Sequence, residues 1–224
     1  EGRDGEQEEA ELENLAYHYR GSRRPDRAVD VYIDLGDRFR KAYLTQRAAS
    51  YYETGIEVAE ALGDDERRAL IQGKLGSLYN RGGDFDRAIR FYNRALTGSG
   101  LTESSRDQSL QGLGYAHFRK HQYNEALRCF KRLQEESKDQ QVRPDVLNHI
   151  SRIYLARGQL GRSERYAQEA LELVRGTGRE ILLASIYGNL GDIHFFQGRF
   201  STSINYLERA LDLLPPEGEG YLRS

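Results

Sequence analysis

Leu75-Gly76-Ser77-Leu78-Tyr79-Asn80-Arg81-Gly82-Gly83-Asp84-Phe85-Asp86-Arg87-Ala88-Ile89-Arg90-Phe91-Tyr92-Asn93-Arg94-Ala95 is the clearest copy of a phrase that this chain writes five times at intervals of 37 to 40 residues. A leucine and a glycine, or their equivalent, come first, an aromatic or histidine lies four residues after the first of them, and a small residue, a large apolar one and usually another small one follow. The other copies run Leu35-Gly36, Phe39, Ala48, Tyr52, Gly55; Leu113-Gly114, His117, Tyr123, Ala126, Phe130, Leu133; Ile150-Ser151, Tyr154, Gly158, Ser163, Ala167, Ala170; and Leu190-Gly191, His194, Gly198, Ser203, Leu207, Ala210. A fixed period of this length marks an array of repeated supersecondary units.

The spacing within a copy predicts two helices. Leu70, Leu75, Leu78 and Tyr79 lie at helical period, and so do Ala88, Ile89, Tyr92, Ala95 and Leu96. Between them stands a short break, Arg81-Gly82-Gly83-Asp84 here and Lys120-His121-Gln122 or Arg157-Gly158-Gln159 in later copies; glycine there can take positive φ and close the first helix. Gly36, Gly76, Gly114, Ser151 and Gly191 are small where two helices cross closely, as are Ala48, Ala88, Ala126, Ser163 and Ser203. One hairpin cannot bury both its faces, so each is expected to pack on its neighbours. Nearly every marked residue is thereby assigned to packing rather than to function.

The pattern resembles the tetratricopeptide repeat over residues 29–215. The resemblance implies an all-α fold, a right-handed superhelical solenoid of antiparallel helical hairpins, with repeats at 29–68, 69–106, 107–143, 144–183 and 184–215. The repeats exceed the family's usual 34 residues, with the surplus between hairpins. The first copy carries Tyr43-Leu44 where sister turns have glycine. Residues 1–28 read as an N-terminal helix over Glu8–Arg20 that is either a cap or half of a degenerate repeat. A second register, in which Leu15, Tyr19, Ala28, Tyr32 and Leu35 form a repeat of their own, stays open. Pro215-Pro216 is expected to stop the last helix, leaving 216–224 as a polar tail. The apolar face of that helix, with Ile204, Leu207, Leu211 and Leu214, is expected to lack cover, which opens a route to self-association.

Composition excludes several function classes. Charged residues make up 30% of the chain yet nearly balance, with a formal net charge of -2, which disfavours nucleic acid as a partner. No apolar run reaches membrane-spanning length and no signal-peptide pattern opens the chain. Cys129 stands alone, so no disulfide framework or cysteine-rich zinc site is expected. The chain has no methionine, which suggests a segment of a larger parent; with a lone cysteine and no signal-peptide pattern, an intracellular, cytoplasmic setting is expected.

No catalytic signature appears: there is no phosphate-binding loop after a strand, no nucleophile elbow and no His-Glu-x-x-His. Thr97-Gly98-Ser99-Gly100 lies between repeats and reads as a connector. Asp84 and Asp86 start a helix, where acidic residues suit the dipole. His117 and His194 fall where sister repeats have tyrosine or phenylalanine, and His121 falls in a turn, so no metal or other cofactor is expected. An enzyme is disfavoured.

In the family, the first helix of each hairpin lines a concave groove. Carried onto this sequence, the resemblance implies a partner-binding surface of Lys74, Ser77 and Arg81; Gln111, Tyr115, Phe118 and Arg119; Asn148, His149 and Arg152; and Asn189, Asp192 and Phe195. Asp30, Asp34, Asp37, Asn80, Gln108, Asp145, Leu155, Ser185 and Phe196 fall at comparable places. Aromatics mixed with cations suit a protein or peptide with apolar anchors and some acidic side chains. The family's carboxylate clamp is not reproduced, since Gly73 and Ser77 stand at its lysine and asparagine positions. A non-enzymatic protein-binding scaffold is the reading that results. The alternatives are a regulatory or sensor module of a signalling or transcription protein, and an RNA-binding helical solenoid.

Overall fold

A computed structural model of the chain describes residues 2–22, 24–98 and 100–214. The expected stop at Pro215-Pro216 and the tail over 216–224 lie outside the described residues. Among the described residues the fold is all-α and contains no strand. Its helices are α1 (Gly2–Arg20), α2 (Asp26–Lys41), α3 (Thr45–Leu62), α4 (Asp65–Arg81), α5 (Phe85–Thr97), α6 (Glu103–Arg119), α7 (Tyr123–Glu136), α8 (Arg143–Ala156), α9 (Leu160–Val174), α10 (Glu180–Phe196) and α11 (Phe200–Asp212). A single 3₁₀ turn, Gln140–Val142, precedes α8.

The chain divides into two compact units, Glu1–His121 and Gln122–Ser224. In the first, α2 pairs with α3 and α4 with α5, α3 packs on α4 and α5 on α6, and α1 lies against α2. In the second, α8 pairs with α9 and α10 with α11, while α7 packs on α8 and α9 on α10. The helical hairpins expected from the spacing are therefore present in both.

Each hairpin turns in the same way. In the second unit, Gly158 N–H donates to Leu155 O at 2.9 Å and Gln159 N–H to Tyr154 O at 2.9 Å, a reverse turn that satisfies the last carbonyls of α8. Gly83 and Gly198 repeat it with φ of 79° and 76°. Tyr43 and His121 hold the same place at φ 60° and 58° without being glycine. The turn in the first copy thus survives the loss of its glycine, because Leu44 N–H still closes on Phe39 O at 2.9 Å.

The helices start where local chemistry supports a start. Asp64, Asp84 and Thr102 each accept a hydrogen bond from the backbone N–H three residues on, capping α4, α5 and α6. α1 begins at Gly2, earlier than the apolar spacing from Glu8 suggests. α1 takes the place beside α2 that α3 takes beside α4, that of a second helix from a preceding hairpin, with Tyr51 on α3 donating to Glu13 at 2.5 Å.

The close crossings lie where small residues recur. A Cβ added to Gly36 would lie 2.3 Å from the Tyr52 ring, and one added to Gly76 or Gly191 would lie 2.7 Å from Tyr92 or Leu207. In the second unit Ser151 and Ser163 instead exchange hydroxyl-to-carbonyl hydrogen bonds of 2.7 and 2.8 Å across the crossing. The resulting core there comprises Leu147, Ala167, Ala170, Leu171, Val174, Ile186, Leu190 and Ile193.

Candidate functional site

The packing code uses one side of each first helix, and the opposite side is the candidate site. In the first unit this side belongs to α2, α4 and α6. Its cations are largely matched from within. Lys74 donates to both oxygens of Asp37, at 2.7 and 3.0 Å, and Tyr52 donates to the same carboxylate at 2.6 Å. Burial works to raise the Asp37 carboxyl, but hydrogen bonds from Lys74 and Tyr52 and the charges of Lys74 and Arg40 outweigh it and hold it below the ordinary range. Arg67 spans Asp30 and Asp64 in the same manner. Ser77 and Gln111 are half-buried, while Arg81 is exposed and lies 5.5 Å from the Tyr43 ring. Arg119 donates to the Tyr115 hydroxyl at 2.8 Å and sits 4.9 Å from the centre of the Phe85 ring. Phe118 is half-buried beside them in sequence.

In the second unit the face is made by α8 and α10. The sequence-expected residues separate into two groups there. Asn148 and Asn189 are 3% and 4% exposed, so they form the wall between the two helices rather than its open surface. Asn189 donates to Asn148 Oδ1 at 3.0 Å and to Ser151 Oγ at 2.9 Å, and Asn148 donates to Ser185 Oγ at 3.1 Å. His149 also turns inward, stacking on Phe130 of α7 with ring centres 4.8 Å apart. Burial, helped by the Arg152 charge, pulls its imidazole down to about 4, so at neutral pH it is an uncharged ring.

Arg152, Asp192, Phe195 and Phe196 form the open group. Partial burial raises the Asp192 carboxyl above the ordinary range, opposed by the charge of Arg152. Phe195 and Phe196 are 55% and 65% exposed and meet edge-to-face at 5.6 Å. Phe200, at the start of α11, meets Phe195 edge-to-face at 5.7 Å and extends the aromatic cluster. Sequence reasoning took Phe200, at the first position of the second helix, as part of the repeat phrase and so assigned it to packing rather than to the groove. The three phenylalanines form an exposed aromatic cluster, with Asp192 one turn before Phe195 on α10.

A second arrangement also escaped the sequence reading. Arg47 lies over Phe39, which stacks on Tyr51; Arg87 lies over Tyr79, which stacks on Phe91; Arg162 lies over Tyr154, which stacks on Tyr166. His194 stacks on Tyr206 at 5.3 Å, with Thr202 at the arginine's place. These layers tie the first helix of a hairpin to its second, and are structural.

Among the described residues no group of three or more histidine, cysteine, aspartate or glutamate side chains converges to hold a metal ion. No described helix is long and apolar enough to cross a membrane.

Comparison with known proteins agrees with this geometry. Two sequence models of the tetratricopeptide repeat match, one over 33–101 and the other over 143–215. No curated protein matches the chain. Among solved structures, BtubC (BKLC) from P. vanneervenii is 25% identical with a TM-score of 0.66, over 91% of this chain and 85% of that one. The apo form of RapI superposes with a TM-score of 0.73 at 15% identity, over 83% of this chain and 69% of that one. YrrB, described as a TPR protein with an unusual peptide-binding site, gives 0.57 at 16% identity, over 84% of this chain and 87% of that one. With its spacing, its hairpins and both matches in accord, this chain belongs to the tetratricopeptide repeat family.

Proposed function

We propose that this chain binds a peptide or protein segment on the open face of α8 and α10, with an apolar side chain of the partner seated against Phe195 and Phe196. Tetratricopeptide repeats serve in general as protein–protein interaction scaffolds, typically without catalysis. The observation that carries the finer reading is the exposure of two adjacent phenylalanines on the helix side not used for packing. Large aromatics left in water on a rigid element favour an interface, where their burial supplies most of the binding energy. Arg152 adds a preference for an acidic side chain near the anchor, and Asp192 restrains that preference to one or two charges. On the first unit, Arg81 and Arg119 with Tyr115 and Phe118 offer a comparable but more internally matched surface.

Selection from a random peptide library displayed on phage tests this. Wild-type protein should enrich sequences with a large apolar anchor flanked by acidic residues. The Phe195→Ser/Phe196→Ser protein should bind the selected peptides at least about tenfold more weakly, since a hot spot of this kind contributes roughly 2 kcal/mol or more. Unchanged affinity in a variant of unchanged helicity would overturn the assignment. Arg152→Gln should weaken acidic peptides selectively and leave neutral ones alone.

A further inference from the structure

The first hairpin turn departs from its sisters at two adjacent positions. The residue that enters the left-handed region and the one after it are Gly83-Asp84, Gly158-Gln159 and Gly198-Arg199 in three copies and His121-Gln122 in a fourth. Here they are Tyr43-Leu44, with Tyr43 at φ 60°. A tyrosine meets the Cβ penalty of that region, and a leucine cannot accept the capping hydrogen bond that Asp84 accepts at the start of α5. Burial offsets neither loss, since Tyr43 is 61% and Leu44 46% exposed. A large side chain held in a costly conformation with its ring in water points to an outside contact rather than to folding.

The charge around this tip is one-sided. Residues 38–52 carry four cations, Arg38, Arg40, Lys41 and Arg47, and no aspartate or glutamate. Arg38 and Arg40 are matched by Asp34 and Asp37, at 3.0 and 3.5 Å. Lys41 and Arg47 are exposed and lie within four residues of the tip in sequence. The guanidinium of Arg81, from the end of α4, stands 5.5 Å from the centre of the Tyr43 ring. We propose that Tyr43 and Leu44, with Lys41 and Arg81 as the neighbouring cations, dock an acidic segment of another protein that carries one large apolar side chain. That side chain covers the tyrosine and the leucine, while the acidic groups meet the cations; tyrosine and arginine are residue types that often dominate interface energies. The charge pattern selects a short segment as occupant. A membrane or a nucleic acid would also face the carboxylates that flank this stretch, Asp34, Asp37 and Glu53, on a chain whose net charge is -2, whereas a short segment can meet the cations alone.

Tyr43 and Leu44 are not among the groove residues and belong to the first unit, so this contact does not rest on the reading of α8 and α10. The test copies a sister turn into this one. Tyr43→Gly/Leu44→Asp gives the first hairpin the turn pair and the helix cap of Gly83-Asp84, so its urea midpoint should equal or exceed that of wild type. Random peptides displayed on phage are panned on the full wild-type chain with this double variant in excess in solution; peptides for the α8–α10 face bind both proteins and are removed. Wild type should enrich acidic sequences with one large apolar residue. A synthetic peptide of the enriched sequence should bind wild type at least about tenfold more tightly than the turn variant in fluorescence anisotropy. Lys41→Gln/Arg81→Gln, which leaves the turn alone, should weaken the same peptide at least about threefold. The inference is overturned if no sequence separates wild type from the turn variant, if the enriched sequences lack acidic side chains, or if the charge variant binds as wild type does. Phosphatidylserine vesicles that sediment with wild type and not with the turn variant would overturn it too, by making the occupant a membrane.

Discussion

At Gly112, a single absent methyl group decides whether α6 can lie against α5. A Cβ there would sit 2.2 Å from the Tyr92 hydroxyl, closer than atoms can approach. Gly112→Ala should therefore destabilise the protein by roughly 2 kcal/mol through overpacking, and the cost should shrink when Tyr92→Leu accompanies it. Gly188 has open space around it, and Gly188→Ala should be neutral or mildly stabilising. Urea unfolding of wild type, the three single variants and the double variant separates these outcomes. A residue-scale test of the turns is equally sharp. Gly198, at φ 76°, should lose about 1 kcal/mol on Gly198→Ala, whereas Tyr43→Gly, at φ 60°, should gain up to about 1 kcal/mol, because the left-handed region penalises a Cβ. The sequence makes the glycine turns plain. It hides Tyr43 and His121, which take the same left-handed φ without being glycine.

Among elements, α7 and α8 are joined by a group that titrates. His149 of α8 lies on Phe130 of α7, with Arg152 one turn away, and its folded value of about 4 is below the ordinary 6.5. A base held neutral by folding binds fewer protons folded than unfolded between those two values, so stability rises with pH across that window and is lost on acidification. From pH 7.5 to 5 this costs about 2 kcal/mol. His149→Phe should flatten that part of a urea-midpoint profile; an unchanged slope would mean the imidazole is not buried as described. The Asp37 carboxylate, held below its ordinary value, adds a separate loss only at still lower pH, as acid reaches that depressed value. At this scale the hairpins themselves were legible, since helical spacing and breaks recur in every copy. The inward turn of Asn148, Asn189 and His149 was not. Family position marks which side of a helix a residue occupies, but whether its side chain lies on the surface or between helices depends on what the next helix places opposite, here Ser185 and Asn148 for the asparagines and Phe130 for the histidine.

For the whole molecule, the period of 37 to 40 residues was enough to read an all-α chain of repeated hairpins, because each marked position answers to a contact that recurs. The division into two compact units between His121 and Gln122 was not legible, as nothing in the phrase is interrupted there. Nor could the sequence separate surfaces used for packing from those left over. That distinction rests on exposure: Leu171 and Val174 are covered, Phe195 and Phe196 are not. The central claim is that the code residues hold the helices together while the uncovered side of α8 and α10 does the recognising. Amide chemical-shift mapping with a phage-selected peptide tests it most directly. The account predicts shifts concentrated at Arg152, Asp192, Phe195 and Phe196 on those two helices. Shifts concentrated instead on the outward faces of α9 and α5, with α10 unperturbed, would contradict it.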